Sequence, residues 1–277
     1  MKNEVWLVTG TSKGFGLSLV KKLIEQGYKV AATSRNIAAL KDVVKVNTAN
    51  FLPLEVDLIS ELSIAEAVAK TVATFGELNV VVNNAGYGIG GTIEELSTSE
   101  IQQSFGINVF APITVMQKVL PIFRKQKSGG YIINISSIAG FNATAGWAMY
   151  AATKFALTGM TEVLAMDLEG MGIYTTVVAP GAFRTAFLSS DSLVLSENKI
   201  EDYTAVRASH EKYATMDGKQ LGNPDKAADV FIDLSKMEVP PVRLFMGTDS
   251  YNRAKNKISI LTEELENLKH ISEKTDY

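Results

Sequence analysis

Tyr150 and Lys154 stand four apart in the run Y-A-A-T-K, which otherwise holds only alanine and threonine. On a helix that spacing puts a phenol and an ammonium on one face, a turn apart. A free tyrosine, with a pKa of about 10, carries protons poorly at neutral pH; a neighbouring cation favours the phenolate and lowers that value. The pair is then expected to act as a general acid and base. Taken alone, the same residues read more simply as a tyrosine packed at a helix surface beside a solvated lysine. Ser136 and Ser137 close the apolar run G-Y-I-I-N-I-S-S, and at a strand end they would point to opposite faces. Asn108, inside I-N-V-F-A-P, reads either as a functional amide or as a buried asparagine satisfying main-chain groups.

These groups need a scaffold, and the chain supplies its outline. Short β-rich apolar runs at residues 5–9, 29–33, 51–55, 79–82, 130–136, 174–179 and 243–246 alternate with amphipathic stretches such as 17–26, 63–75 and 155–171. Alternating strand and helix predicts a doubly wound, Rossmann-type α/β fold, a parallel sheet covered on both faces, in a single domain. The unbroken apolar character of V-W-L-V and N-V-V-V suits strands buried on both sides. Between the first strand and first helix lies V-T-G-T-S-K-G-F-G. Glycines allow a tight turn and let backbone N–H groups approach a phosphate, while the helix N-terminus adds partial positive charge. Gly10, Ser12, Lys13, Gly14, Phe15 and Gly16 are thus expected to hold a dinucleotide pyrophosphate; the plainer reading is a glycine-rich turn.

The spacing T-G-x-x-x-G-x-G resembles that of the short-chain dehydrogenase/reductase family, in its classical branch. Further motifs of that family follow in order: N-N-A-G at residues 83–86, Asn108, the serine pair, Y-x-x-x-K, and P-G at Pro180 and Gly181. The resemblance implies an oxidoreductase with about seven parallel strands. It implies that Lys154 hydrogen-bonds a nicotinamide ribose, that Ser137, thirteen residues before the tyrosine, holds the substrate oxygen, and that Asn108 orders a water for proton relay. Ser136 is left to bond backbone. Asp57, with Leu58 beside it, resembles the family's adenine-contacting acid. Asn84, Ala85 and Gly86 are expected to support the adenosine side and the sheet centre, and Pro180, Gly181, Phe183 and Thr185 to border the nicotinamide carboxamide. The T-S-K-G-F-G loop and the R-L-F-M-G-T-D-S-Y ending look most like family members near the hydroxysteroid and retinol dehydrogenases and carbonyl reductases.

Charge at the end of the second strand separates the two nicotinamide cofactors: an acid there grips the ribose hydroxyls of NAD(H), whereas a 2′-phosphate needs cations. The sequence reads A-A-T-S-R-N, with no acid. Arg35 can fork onto a phosphate, Ser34 can donate to it, and Lys13 adds a second positive charge, so NADP(H) is expected over NAD(H). The reaction so predicted is reduction of an apolar ketone by NADPH, or oxidation of a secondary alcohol, with no metal. Its rivals are an NAD-dependent dehydrogenase of a lipophilic alcohol and a catalytically silent NADP(H) sensor.

About sixty residues separate Pro180 from the last strand, more than one crossover needs, and residues 183–216 look like the family's substrate lid. Tyr87, Phe141, Trp147, Phe187, Leu188 and Leu193 are expected to line an apolar substrate pocket. His210 lies in the lid without a partner and is assigned no role. Residues 249–271 carry Ile258, Leu261, Leu265 and Leu268 three and four apart, a helix that docks on the body or on a second subunit, with packing on the body as the simpler reading. Family members often pair through the helices bearing Asn108 and Tyr150, which implies a homodimer or homotetramer.

Composition bounds the rest. The 277 residues are 46% hydrophobic and 21% charged, ordinary for a globular chain. Cysteine is absent, so disulfides, thiol nucleophiles and cysteine-bound metals are excluded. A net charge of −3 without a basic block lacks the footprint of a nucleic-acid binder. No export signal and no stretch long enough to span a membrane are evident, and a cytoplasmic enzyme without a membrane partner is expected.

Overall fold

Val5, Trp6, Leu7 and Val8 are all buried, and their alternation divides them between two apolar layers. Trp6 and Val8 face a layer completed by Leu19, Val20, Leu23, Ala228 and Phe231; Val5 and Leu7 face one completed by Ile64, Val68, Val115, Val119 and Phe123. A strand buried on both faces has no place for polar residues, which is why V-W-L-V and V-V-V read as unbroken apolar runs.

The computed structural model describes residues 4–189 and 192–277. Nine strands occur among them: β1 Val5–Val8, β2 Lys29–Ser34, β3 Phe51–Glu55, β4 Val80–Asn83, β5 Gly88–Gly90, β6 Gly130–Ile135, β7 Ile173–Pro180, β8 Leu193–Leu195 and β9 Arg243–Met246. Seven form one sheet in the order β3-β2-β1-β4-β6-β7-β9, and every pairing within it is parallel. All seven expected strands are present. The order reverses between β1 and β4, and the crevice beyond the carboxyl ends of strands at such a switch point is where doubly wound sheets bind ligands.

Among the described residues there are nine α-helices: α1 Gly14–Glu25, α2 Ile37–Val44, α3 Glu61–Phe75, α4 Thr98–Phe105, α5 Ala111–Lys125, α6 Ala148–Asp167, α7 Thr204–Thr215, α8 Pro224–Ser235 and α9 Thr248–Ser272. A π-turn, Gly106–Phe110, joins α4 to α5, so that Thr98–Lys125 runs on as one helical stretch. By length and apolar composition that stretch would suffice to cross a membrane, contrary to the sequence expectation that none is long enough. Val115, Met116, Val119 and Phe123 on it belong to the second core layer, and its apolarity is that of a helix packed on a sheet.

The excursion after β7 carries a 3-10 turn (Ala186–Leu188), β8 and α7 before the crossover helix α8. β8 pairs in parallel with β5 in a separate two-stranded sheet that the sequence did not announce. The terminal helix corrects a second expectation. Ser250 and Ala254 are buried, but every residue from 258 to 272 is exposed, so the apolar stripe does not pack on the body.

Candidate active site

The glycines of the first loop sit where no side chain fits. A Cβ on Gly16 would lie 2.4 Å from the Gly10 carbonyl oxygen, and one on Gly10 would lie 2.7 Å from the Ala85 Cα. Gly10 and Gly14 have φ of +69° and +57°, which L residues rarely adopt. Asn84 Nδ2 donates to the carbonyls of Thr9 and Gly10, each at 2.8 Å, and Thr9 Oγ1 accepts from the N–H groups of Asn84 and Ala85 at 3.0 and 3.1 Å. The N-N-A-G segment after β4 therefore braces the glycine loop. Asn or Ser side chains cap α2, α3, α4 and α8, whereas no side chain caps α1. The N–H groups opening α1, like those of α5, α6, α7 and α9, have no side-chain cap among the described residues, and beside the glycine loop this suits a phosphate.

Beyond β2, Arg35 is exposed and Lys13 half-buried, and neither side chain has a hydrogen-bond or ion-pair partner among the described residues. Ser34 Oγ accepts from the Asn36 N–H at 3.1 Å, which leaves its own proton free to donate. Asp57 is exposed and accepts from the Ile59 N–H at 3.0 Å in a local turn, with Leu58 between them. These residues share one end of the sheet, as Ser34 pairs with Glu55 in register. A cradle that a Cβ would fill, an uncapped helix start and two unpaired cations fit a dinucleotide.

Tyr150 occupies the first turn of α6 and Lys154 the next. The Lys154 ammonium lies 5.8 Å from the centroid of the Tyr150 ring and donates to the Ile135 carbonyl at 2.9 Å. Both side chains are buried, and this overturns the expected pKa relation. Burial pushes the Tyr150 phenol well above the usual tyrosine value; a hydrogen bond with Ser137 opposes this, and the nearby Tyr213 phenol reinforces it. Burial also pulls Lys154 down to about 8. Loss of water around both groups dominates, and it disfavours the charged form of each.

The two serines diverge as their positions predict. Ser136 is buried against α6, where its hydroxyl donates to the Lys154 carbonyl at 3.0 Å and lies 3.0 Å from Thr158 Oγ1. Ser137 is half-buried, caps the turn Ile138–Gly140 by accepting from the Ala139 N–H at 3.1 Å, and meets Tyr150. Asn108 sits in the π-turn, buried. Its amide donates to the Tyr87 carbonyl at 2.9 Å and to Thr153 Oγ1 at 3.3 Å, and accepts from the Tyr87 N–H at 3.1 Å. These bonds satisfy main-chain groups of Tyr87 and fix the loop after β4 to the helix that carries Tyr150. Gly86 makes room for this: a Cβ there would lie 2.9 Å from Asn108 Oδ1 and 3.5 Å from Lys154 Nζ.

Of the expected substrate residues, Phe187 stands nearest the chemistry, its ring 5.8 Å from that of Tyr150. Leu193 packs over Gly88, next to the half-buried Tyr87, and Leu188 ends the turn that carries Phe187. Trp147 is buried; its indole N–H donates to Ser209 Oγ at 3.2 Å and its ring lies 5.0 Å from those of His210 and Tyr213. It anchors α7 as much as it lines the site. Phe141 is a correction: its ring packs at 5.1 Å on Phe245 of β9, under the Arg243 guanidinium, and staples the turn after β6 to the sheet edge. Phe183, expected beside the nicotinamide, has its ring 4.9 Å from that of Phe15 and packs half-buried against the first core layer. Thr185, by contrast, lies against Gly14, and Gly181 follows β7 with its neighbour's N–H donating to Asp249 at 2.7 Å.

Sequence reasoning missed the groups that hold the lid. The Glu95 carboxylate, fully buried, accepts from the N–H groups of Thr92 and Ile200, each at 2.9 Å, and pairs with Arg207 of α7. Burial pushes this carboxyl up, but those hydrogen bonds and the Arg207 charge outweigh it and hold the group below the ordinary carboxylate range. Tyr203 donates to Glu94, and His210 Nε2 lies 3.1 Å from the Gly146 carbonyl oxygen. Each tie spans sixty residues or more, and no local motif signals it.

A parallel α/β sheet with an open phosphate cradle at its switch point, leading to a buried Tyr–Lys pair and a serine, defines a nucleotide-dependent enzyme. The family model described as short chain dehydrogenase matches residues 4–193. An uncharacterized oxidoreductase of Schizosaccharomyces pombe is 31% identical over 94% of this chain and 87% of its own length. A 3-ketodihydrosphingosine reductase of Bacteroides thetaiotaomicron is 32% identical over 89% of each chain. A short-chain dehydrogenase from Streptomyces avermitilis superposes with a TM-score of 0.90, at 31% identity, covering 99% of this chain and all of that one. More distant solved neighbours are complexed with NADP or with NAD. The chain belongs to the short-chain dehydrogenase family of oxidoreductases.

Proposed function

We propose that the protein is an NADPH-dependent carbonyl reductase acting on an apolar ketone, with the corresponding secondary alcohol as product. The observation that carries this reading is the Tyr150 phenol, protonated through burial, hydrogen-bonded to Ser137 and overlooked by Phe187. A bound nicotinamide would supply the hydride. Tyr150 donates the proton to the carbonyl oxygen, and Ser137 steadies that oxygen as charge develops on it. Lys154 holds the ribose and, when charged, eases the departure of the phenolic proton. Asn108 positions: through Tyr87 and Thr153 it fixes the loop and helix between which the substrate carbonyl sits. A buried tyrosine that keeps its proton at neutral pH favours reduction, while the reverse oxidation needs the phenolate and an alkaline medium.

Arg35, Lys13 and the hydroxyl of Ser34 support the 2′-phosphate of NADPH. The nearest acids, Glu55 and Asp57, belong to β3 and the loop after it, not to the end of β2 where a ribose-gripping acid stands. Tyr87, Phe187, Leu188, Leu193 and Trp147 form the apolar surroundings of the carbonyl. Homodimerisation through α5 and α6 fits an apolar groove between them lined by Ile113, Met116, Leu120, Met160, Val163 and Leu164.

The test is oxidation of NADPH and of NADH against a panel of apolar ketones, with Tyr150→Phe alongside. Turnover with NADPH is expected, falling by about 10²- to 10⁴-fold in the variant. Faster turnover with NADH would instead support an NAD-dependent dehydrogenase, and tight NADPH binding without turnover on any carbonyl or alcohol would overturn the enzyme.

A further inference from the structure

The last helix leaves the body abruptly. Its first turns are held by Ser250 Oγ, which donates to the Ala179 carbonyl at 2.7 Å, and by Asn142 Nδ2, which donates to the Arg253 carbonyl at 3.0 Å. Beyond Lys257 no residue is covered, and the helix continues to Ser272, about 22 Å at 1.5 Å per residue. Isolated helices of this length are marginal in water, and this one also exposes a continuous apolar stripe. Ile258, Leu261, Leu265 and Leu268 are 52%, 37%, 71% and 50% exposed, so the stripe lacks whatever covers it.

Ile258, Leu261, Leu265 and Leu268 follow the 3-4 spacing of a coiled-coil seam, with Ile260 and Ile271 exposed beside it. With Ile258 and Leu265 at a, Leu261 and Leu268 fall at d, and the same register runs back to Tyr251 and Ala254. Leucine fills both d positions and Ile258 one of the two a positions, with Leu265 at the other, and a β-branched residue at a with leucine at d favours two strands. Charge then fixes direction. Glu264 falls at g and Lys269, five residues on, at e, the spacing at which a parallel partner places opposite charges together. An antiparallel partner would set Glu264 nearest its own mate, a like-charge contact. Among the described residues of its own chain Lys269 pairs only with Glu273, at 3.6 Å and exposed.

We propose that residues 258–272 pair, parallel and in register, with the same segment of a second copy of this chain. Self-complementarity is what a two-fold partner requires. A bilayer is a poorer fit, because the segment carries three glutamates and one lysine, the wrong balance for an anionic membrane surface. Two heptads hold weakly alone and act by locking copies already close, where effective concentration is high. This pairing does not depend on which substrate or cofactor the enzyme takes.

The absence of cysteine makes the test clean, since one introduced thiol is the only thiol. In the full-length protein Leu265→Cys is expected to form a disulfide-linked dimer under mild oxidation, because position 265 faces its own mate only in the parallel register. Glu263→Cys, on the outer face, serves as control and is expected to crosslink at least tenfold more slowly. Adding Glu264→Lys to Leu265→Cys should slow crosslinking about fivefold, as expected for two exposed ion pairs, and further addition of Lys269→Glu should restore it. Equal crosslinking at 263 and 265, or no rescue by the charge swap, would overturn the proposal. Sedimentation of the native chain with phosphatidylserine vesicles, lost in Leu265→Asp, would assign the stripe to a membrane and likewise overturn it. NADPH oxidation, measured on each variant, reports on the active site separately.

Discussion

The glycine-loop cradle and the excursion proposed as a substrate lid are built on opposite principles. The cradle is made of short-range necessity: glycines at positions where a Cβ would collide, a helix start left uncapped, and an Asn84 amide that reaches the adjoining loop. The lid is made of long-range ties, in which a buried Glu95 gathers Ile200 and Arg207, and Trp147 and Gly146 receive Ser209 and His210. Collisions in a cradle admit little variation. Polar ties can be exchanged for others, and a segment held by a few of them can open, which is what passage of substrate requires.

Breaking the cradle should therefore have the largest effect. Gly16→Val puts a branched side chain where even a Cβ would sit 2.4 Å from a carbonyl oxygen, and loss of NADPH binding is expected, read by the quenching or enhancement of its fluorescence on titration. A variant that still bound NADPH normally would show that the phosphate lies elsewhere. Breaking the lid should be milder and different in kind. Arg207→Ala strands the Glu95 carboxylate among its remaining N–H donors, weakening lid docking by about 3 kcal/mol. Faster hydrogen exchange across residues 196–215 and a raised KM for ketone are expected, with NADPH affinity unchanged; equal loss of both affinities would mean that lid and cradle are one unit.

Arg35→Ala sharpens the comparison within the cradle itself. Removing one charged donor to a 2′-phosphate should raise the KM for NADPH roughly 10- to 100-fold and leave NADH untouched, measured by steady-state kinetics with both. The last test lies between the two regions, at Lys154, and reads folding stability rather than binding. Its value in the fold is about 8, below the 10.5 of a free lysine, so between these pH values the unfolded chain holds a proton that the folded one has released. Folding stability should then rise with pH across that window and flatten below it, by up to about 3 kcal/mol. Lys154→Met should abolish the rise in denaturant titrations of the cofactor-free protein; an unchanged slope would show the ammonium to be better solvated than its surroundings suggest.

Residues near one another in the chain announced themselves, and residues joined across it did not. Tyr150 and Lys154 share a face because they are four apart on α6, and Ser136 and Ser137 part because adjacent residues at a strand end must. Phe141 and Phe183 were legible as apolar residues near the site, yet their neighbours, Phe245 and Phe15, come from distant strands and helices, and only the fold turns the rings that way. Glu95 looked like any acid in E-E-L-S, because nothing near it in sequence marks a carboxylate to be buried beside an arginine more than a hundred positions later.

By itself the sequence determined the sheet and the glycine loop, since these rest on periodicity and backbone freedom, and it placed Tyr150 and Lys154 on one helix face, whereas the roles proposed for them came from the resemblance of several ordered motifs. Tertiary structure alone decided how those residues behave. It set the Tyr150 phenol above its usual range and Lys154 below, because burial depends on everything packed around a group; it engaged Asn108 with Tyr87; and it left the apolar stripe of α9 standing free of the body.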